Sequence, residues 1–171
     1  FLAGARVLAH GHASDAALAA LARDLGCAVN QLVPMVATRQ QEMKALRDQL
    51  AELEGEVAGA RVRALYEATP PDDDGVRRMI HRASDESAAL LRLMAQAVAP
   101  LPRALFLAIG TSPPAIYFGT SNDSGVDAGA RLKPALAAVG GRGGGSARVA
   151  QGTAPTGEAL ALVAREVRHA G

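Results

Sequence analysis

Three groups of residues carry side chains or backbone suited to chemistry. The first is Gly140-Gly141-Arg142-Gly143-Gly144-Gly145-Ser146, a run in which five of the six residues before the serine lack a side chain and the sixth is a cation. Bare amides beside a guanidinium suit an anion, as in phosphate-binding concavities at helix starts. The run is not a Walker loop: Gly140 and Gly145 have the GxxxxG spacing, but Ser146 stands where a lysine must follow. Nor does it fit a dinucleotide fingerprint, because Leu132 to Val139 before it reads as helix, not strand. Arg148, with Lys133 and Arg131 earlier, adds positive charge around it. Phosphate or nucleic-acid contact and close packing of backbone on backbone are both open to such a run. The second group is Asp72-Asp73-Asp74, whose consecutive side chains diverge and so read as a solvated loop, not a metal site. The third is His10, His12, His81, His169 and Cys27. None makes an i, i+4 ligand pair, and Gln31 fills the place four after Cys27. His10 and His12 read as surface residues.

The elements that must position these groups divide into two regimes. Ser14 and Asp15 can open a helix that Gly26 closes. A second helix of about 35 residues follows, on which Leu32, Val36, Arg39, Met43, Leu46, Leu50, Leu53, Val57, Ala60 and Ala64 recur at spacings of four and three. That is a coiled-coil seam with Arg39 its single polar member. Either the short first helix folds back on it as a hairpin, or Leu46, Leu50, Leu53 and Val57 recruit a second chain in a parallel or antiparallel homodimer. "TPPDDDG", 69–75, ends the helix as a linker.

Beyond it, Val76 to Arg82, Arg103 to Ile109 and Ala115 to Thr120 read as strands, the last two joined by a tight turn. Ser84 to Val98, Asp127 to Val139 and Gly157 to His169 read as helices. The expected fold is α/β (α+β): a long helical hairpin or coiled coil, then a small mixed-sheet β-α-β-β-α-α domain. An aromatic content of 3% without Trp leaves no base-stacking platform. A net charge of +1 confines nucleic-acid contact to a local patch. One cysteine fits a reducing compartment, and no run is apolar enough for a membrane span. Starting at Phe1, the chain reads as a piece of a longer protein.

"DAGARLKPALAAVGGRGGGSARVAQG", Asp127 to Gly152, resembles the signature of the DHH-associated domain at the C-terminus of alanyl-tRNA synthetases and of free-standing alanyl-tRNA editing proteins. "FLAGAR", Phe1 to Arg6, is similar to the end of the last strand of their editing domain. Ser146-Ala147-Arg148-Val149 looks closer to the free-standing proteins than to synthetases, and Ser146 replaces the phosphate-binding His of DHH phosphoesterases.

The resemblance implies residues 1–12 as a remnant of an editing domain, 13–68 as a helical connector, 69–75 as linker and 76–171 as the DHH-associated domain. It implies a cytoplasmic, homodimeric tRNA-binding module of protein biosynthesis. Gly140, Gly141, Arg142, Gly143, Gly144, Gly145, Ser146, Arg148, Gln151 and Lys133 would contact tRNA. Hydrolysis of mischarged tRNA would fall to an upstream zinc-dependent domain, with no catalytic residue or cofactor in this segment. The alternatives are a purely structural assembly domain and the substrate-binding domain of a DHH-type phosphoesterase.

Overall fold

The computed structural model describes residues 14–111 and 113–169, so Phe1 to Arg6, His10 and His12 lie outside the described residues. The chain divides into two compact units, residues 1–51 and 52–171.

In the first unit, residues 14–24 form helix α1. It ends as the glycine requires: Gly26 takes a left-handed φ of +66°, and its amide donates back to Arg23 at 3.1 Å. A short 3-10 turn, Val29–Gln31, leads into α2, Leu32–Ala68, a helix of 37 residues. Pro34 sits in its first turn, where the missing amide costs no helical bond. The unit boundary falls within α2, so its last turns belong to the second unit and not to the connector alone.

The second unit holds a five-stranded mixed sheet in the order β1-β2-β3-β5-β4. The strands are β1 (Arg77–Arg82), β2 (Ala104–Thr111), β3 (Pro114–Thr120), β4 (Arg142–Gly145) and β5 (Val149–Thr153). β1 and β2 are parallel, joined through α3, Ala88–Ala97; all other pairs are antiparallel. Ser87, not Ser84, caps α3, its side chain accepting from the Leu90 amide at 3.1 Å. α4 (Ala128–Ala138) is capped by Asp127, and α5 (Gly157–His169) closes the chain.

β2 and β3 are apolar on both sides because both faces of the sheet are covered. On one face Phe106, Met79, Met94 and Leu91 pack with Ala58 and Val62 from the end of α2. On the other, Leu107, Ile116 and Phe118 pack with Leu132 and Leu136 of α4 and Leu160, Val163 and Val167 of α5. The sequence order therefore gains two strands: the glycine run and Val149–Thr153 form a hairpin, β4 to β5, between α4 and α5.

The 69–75 segment is an ordered turn. Gly75 adopts φ +76°, its amide donating to the Asp72 carbonyl at 2.8 Å. Arg78, largely buried, donates to Asp72 at 2.9 Å and to Asp74, holding the Asp74 carboxyl well below the usual carboxylate range; the Val76 amide adds to this. Among the described residues no three His, Cys, Asp or Glu side chains gather as for a metal, and no helix is long and apolar enough to cross a membrane.

Candidate nucleic-acid interface

Glycine is a poor strand former, so β4 exists because of what surrounds it. A β-carbon on Gly143 would run into Leu136 Cδ1 and sit 2.6 Å from the Gln151 carbonyl oxygen. One on Gly141 would sit 2.6 Å from the Thr153 carbonyl oxygen, and one on Gly145 would meet Val149 and Ala150. Gly152 faces Gly143 across the hairpin under the same restriction. Gly141, Gly143 and Gly152 let the hairpin lie directly against Leu136 of α4, and Gly145 lets β4 close on β5. Gly140 serves another purpose, since at φ +72° it ends α4, its amide donating to the Ala137 carbonyl at 3.1 Å.

Gly144 is the exception, since a β-carbon there would meet nothing within 4 Å. Side chains alternate along a strand, so Gly144 and Arg142 turn to the face that α4 does not cover. The pairing register places Tyr117, Gln151 and Gly144 in one cross-strand row and Ala115, Thr153 and Arg142 in the next. These six, with Gly143 and Gly152, line a hollow of about 340 Å³. A second hollow of about 310 Å³ shares Gly144 and Gln151 and adds Arg92 and Gln96 of α3, with Gly145, Ser146 and Val149. α3 covers β3 closely, through Ala95 against Gly119, and its cluster reaches Val149 at the start of β5, but it leaves Gln151, Thr153 and β4 open. Two exposed guanidiniums, Arg92 and Arg142, therefore flank a strip of bare backbone. Among the described residues neither has an ion-pair partner.

The edge position of β4 exposes backbone as well. Ser146 N–H donates to the Val149 carbonyl at 2.8 Å, which makes that pair a hydrogen-bonded one. The alternation of an antiparallel ladder then turns the amides of Gly145 and Gly143 away from β5.

The remaining expected site residues are used elsewhere. Ser146 Oγ accepts from the Arg148 and Val149 amides at 3.3 and 3.2 Å and so stabilises the hairpin turn. Arg148 donates to the Ser121 carbonyl at 2.6 Å, pinning the turn to the end of β3. Lys133 lies on the outer side of α4, in the helix layer on the opposite face of the sheet from Arg142. The expected anion concavity at a helix start is corrected too. The glycines lead into a strand, and the amides at the start of α4 are already spent: Ala128 and Gly129 donate to the Ala147 and Ser146 carbonyls at 2.9 and 3.0 Å.

Arg92 and Gln96 were not expected. Their i, i+4 spacing on the polar side of a helix was a readable signal, but only the pairing of β5 with β3 brings that side beside the glycines.

No family model matches the chain, and no curated protein matches it. Among solved structures the chain is similar to the C-Ala domain from Aquifex aeolicus alanyl-tRNA synthetase, with 20% sequence identity and a TM-score of 0.41, over 54% of this chain and 90% of that chain.

Proposed function

We propose that the open face of β5 and β4 binds the phosphate backbone of RNA, tRNA in particular. The chain then serves as the nucleic-acid-binding and dimerisation module of a cytoplasmic alanyl-tRNA editing or synthetase-type protein. One observation carries the binding: two guanidiniums without an ion-pair partner among the described residues, Arg92 and Arg142, lie on either side of backbone that Gly144 leaves without a side chain. Arginine matches a phosphate through two parallel donors, and backbone amides add contacts that do not depend on base identity. Gln151, Gln96 and Thr153 supply further polar groups for phosphate and ribose oxygens. The choice of tRNA rests on the resemblance of Asp127 to Gly152 to the DHH-associated signature. Hydrolysis of mischarged tRNA belongs, on this reading, to a zinc-dependent part of the protein outside this chain. Dimerisation rests on the exposed apolar line of α2.

A purely structural use of the glycines accounts for Gly141, Gly143, Gly145 and Gly152. It gives Gly144, Arg142 and Arg92 nothing to do.

The test is binding of a fluorescent tRNA transcript over a series of salt concentrations. Arg92→Ala with Arg142→Ala is expected to weaken binding on the order of tenfold for tRNAs of different sequence, and to lower the log–log salt slope by about two. Lys133→Ala, on the other face, is expected to leave affinity unchanged. Wild-type affinity in the double variant at low salt overturns the assignment.

A further inference from the structure

β1 is the edge of the sheet away from β4, and its backbone is bare there. Arg77 N–H donates to the Arg103 carbonyl at 2.8 Å and Ala83 N–H to the Ile109 carbonyl at 2.9 Å, so the odd-numbered residues of this parallel pair face β2. Arg78, Ile80 and Arg82 therefore turn both N–H and C=O outward, and these groups take no partner among the described residues. The opening starts at Arg78, because at Val76 the 69–75 turn closes the edge: the Val76 amide donates to Asp74 Oδ1 at 2.9 Å and its carbonyl accepts from the Asp72 amide at 3.0 Å.

The side chains along this edge are apolar at the centre and cationic around it. Ile80 pairs with Leu107 and so points to the α5 side of the sheet, but α5 packs over β2 and β3 and leaves Ile80 40% exposed. Arg82, two residues on, is exposed on the same side. Arg78 Nε donates to the Arg168 carbonyl at 3.0 Å, which brings the end of α5 to the start of β1, and Arg165 lies one turn back on that helix. Arg78 is matched by Asp72 and Asp74, whereas Arg82, Arg165 and Arg168 have no ion-pair partner among the described residues.

That combination selects an occupant. Outward N–H and C=O groups need acceptors and donors alike; an extended peptide supplies both, whereas a phosphodiester backbone supplies acceptors alone. A second copy is opposed by charge, because antiparallel pairing about Ile80 sets Arg78 beside the partner's Arg82. We propose that β1 accepts an extended acidic segment of another protein as an added strand, with an apolar residue against Ile80 and carboxylates towards Arg82 and Arg168. Backbone pairing supplies the affinity, and the side chains beside Ile80 and Arg82 set the sequence preference.

The test is heteronuclear NMR of the nitrogen-labelled full chain titrated with the peptide Thr-Glu-Thr-Val-Thr-Glu-Thr, which reads the same in both directions and so suits either strand orientation. The peptide is expected to shift the amides of Arg78, Ile80 and Arg82 and to slow their hydrogen exchange, and to bind about tenfold more weakly when lysine replaces both glutamates. Ile80→Pro removes an outward donor without touching a β1–β2 bond, a change that edge strands tolerate, and is expected to abolish binding. Arg82→Glu is expected to weaken the acidic peptide about fivefold and to favour the lysine one. No shift at these amides at millimolar peptide, equal binding of the two peptides, binding retained in Ile80→Pro, or unchanged affinity in Arg82→Glu overturns the proposal. Shifts at this edge produced by a tRNA transcript and by neither peptide make it an RNA surface, and shifts that follow protein concentration alone make it a contact between copies; either result also overturns the proposal.

Discussion

Gly143 and Gly144 are neighbours in sequence and opposites in tolerance. Gly144→Ala adds a methyl group to open space and is expected to change stability by less than about 0.5 kcal/mol. Gly143→Ala drives its methyl group against Leu136 and the Gln151 carbonyl, where backbone must move, and is expected to cost about 2 kcal/mol or more. Urea denaturation of the two variants measures both. A second residue-scale effect concerns Glu86. Its own backbone amide, the Ser84 amide at 3.0 Å and His81 Nε2 at 3.0 Å hold its pKa down to about 2, against a partial opposing effect of burial. A carboxylate whose folded pKa is lowered stabilises the fold above its unfolded value of 4.5, and that stabilisation disappears as pH falls towards 2. Glu86→Gln is therefore expected to be less stable than wild type at pH 7, the difference shrinking below pH 4.5 in denaturation curves taken across pH.

At the scale of elements, α2 carries two apolar lines side by side. Val62 lies in the core of the sheet domain, with Met79, Met94 and Phe106. Val57, five residues earlier, faces solvent. Val62→Asp buries an unpaired charge and is expected to unfold the second unit. Val57→Asp is expected to leave circular dichroism and cooperative unfolding intact while abolishing the dimer in sedimentation. The four-and-three spacing from Leu32 to Ala64 was legible because it recurs without a break; of its apolar members only Leu32 is buried, while Val36, Met43, Leu46, Leu50, Leu53 and Val57 are exposed. The buried line was not, because Ala58 and Val62 are too small and too few to outweigh it until β1 and α3 are in place. β2 and β3 were legible as short runs buried on both faces. β4 was not: three glycines carry no strand propensity, and their extended conformation is imposed by Leu136 beneath and β5 alongside. Of the candidate site residues named from the motif, Arg142, Gly144 and Gln151 line the open hollows, whereas Arg148 and Ser146 hold the hairpin turn.

At the scale of the whole molecule, the proposed dimer would link association to folding. If the dimer forms through α2, ligand-like mass action raises the melting temperature as protein concentration rises. Calorimetric scans over a hundredfold range of concentration are expected to show that rise in wild type and to lose it in Val57→Asp. A melting temperature independent of concentration in wild type counts against the dimer.

The composition of β4 has one more consequence. A sheet edge is a template on which foreign strands polymerise, and proteins protect such edges by keeping them short, charged or weakly strand-forming. β4 is four residues long, begins with a cation and is otherwise glycine. On the proposed reading, its Gly143 and Gly145 amides offer donors to an anion along the edge while the strand gives an incoming chain little to zip against: access without aggregation.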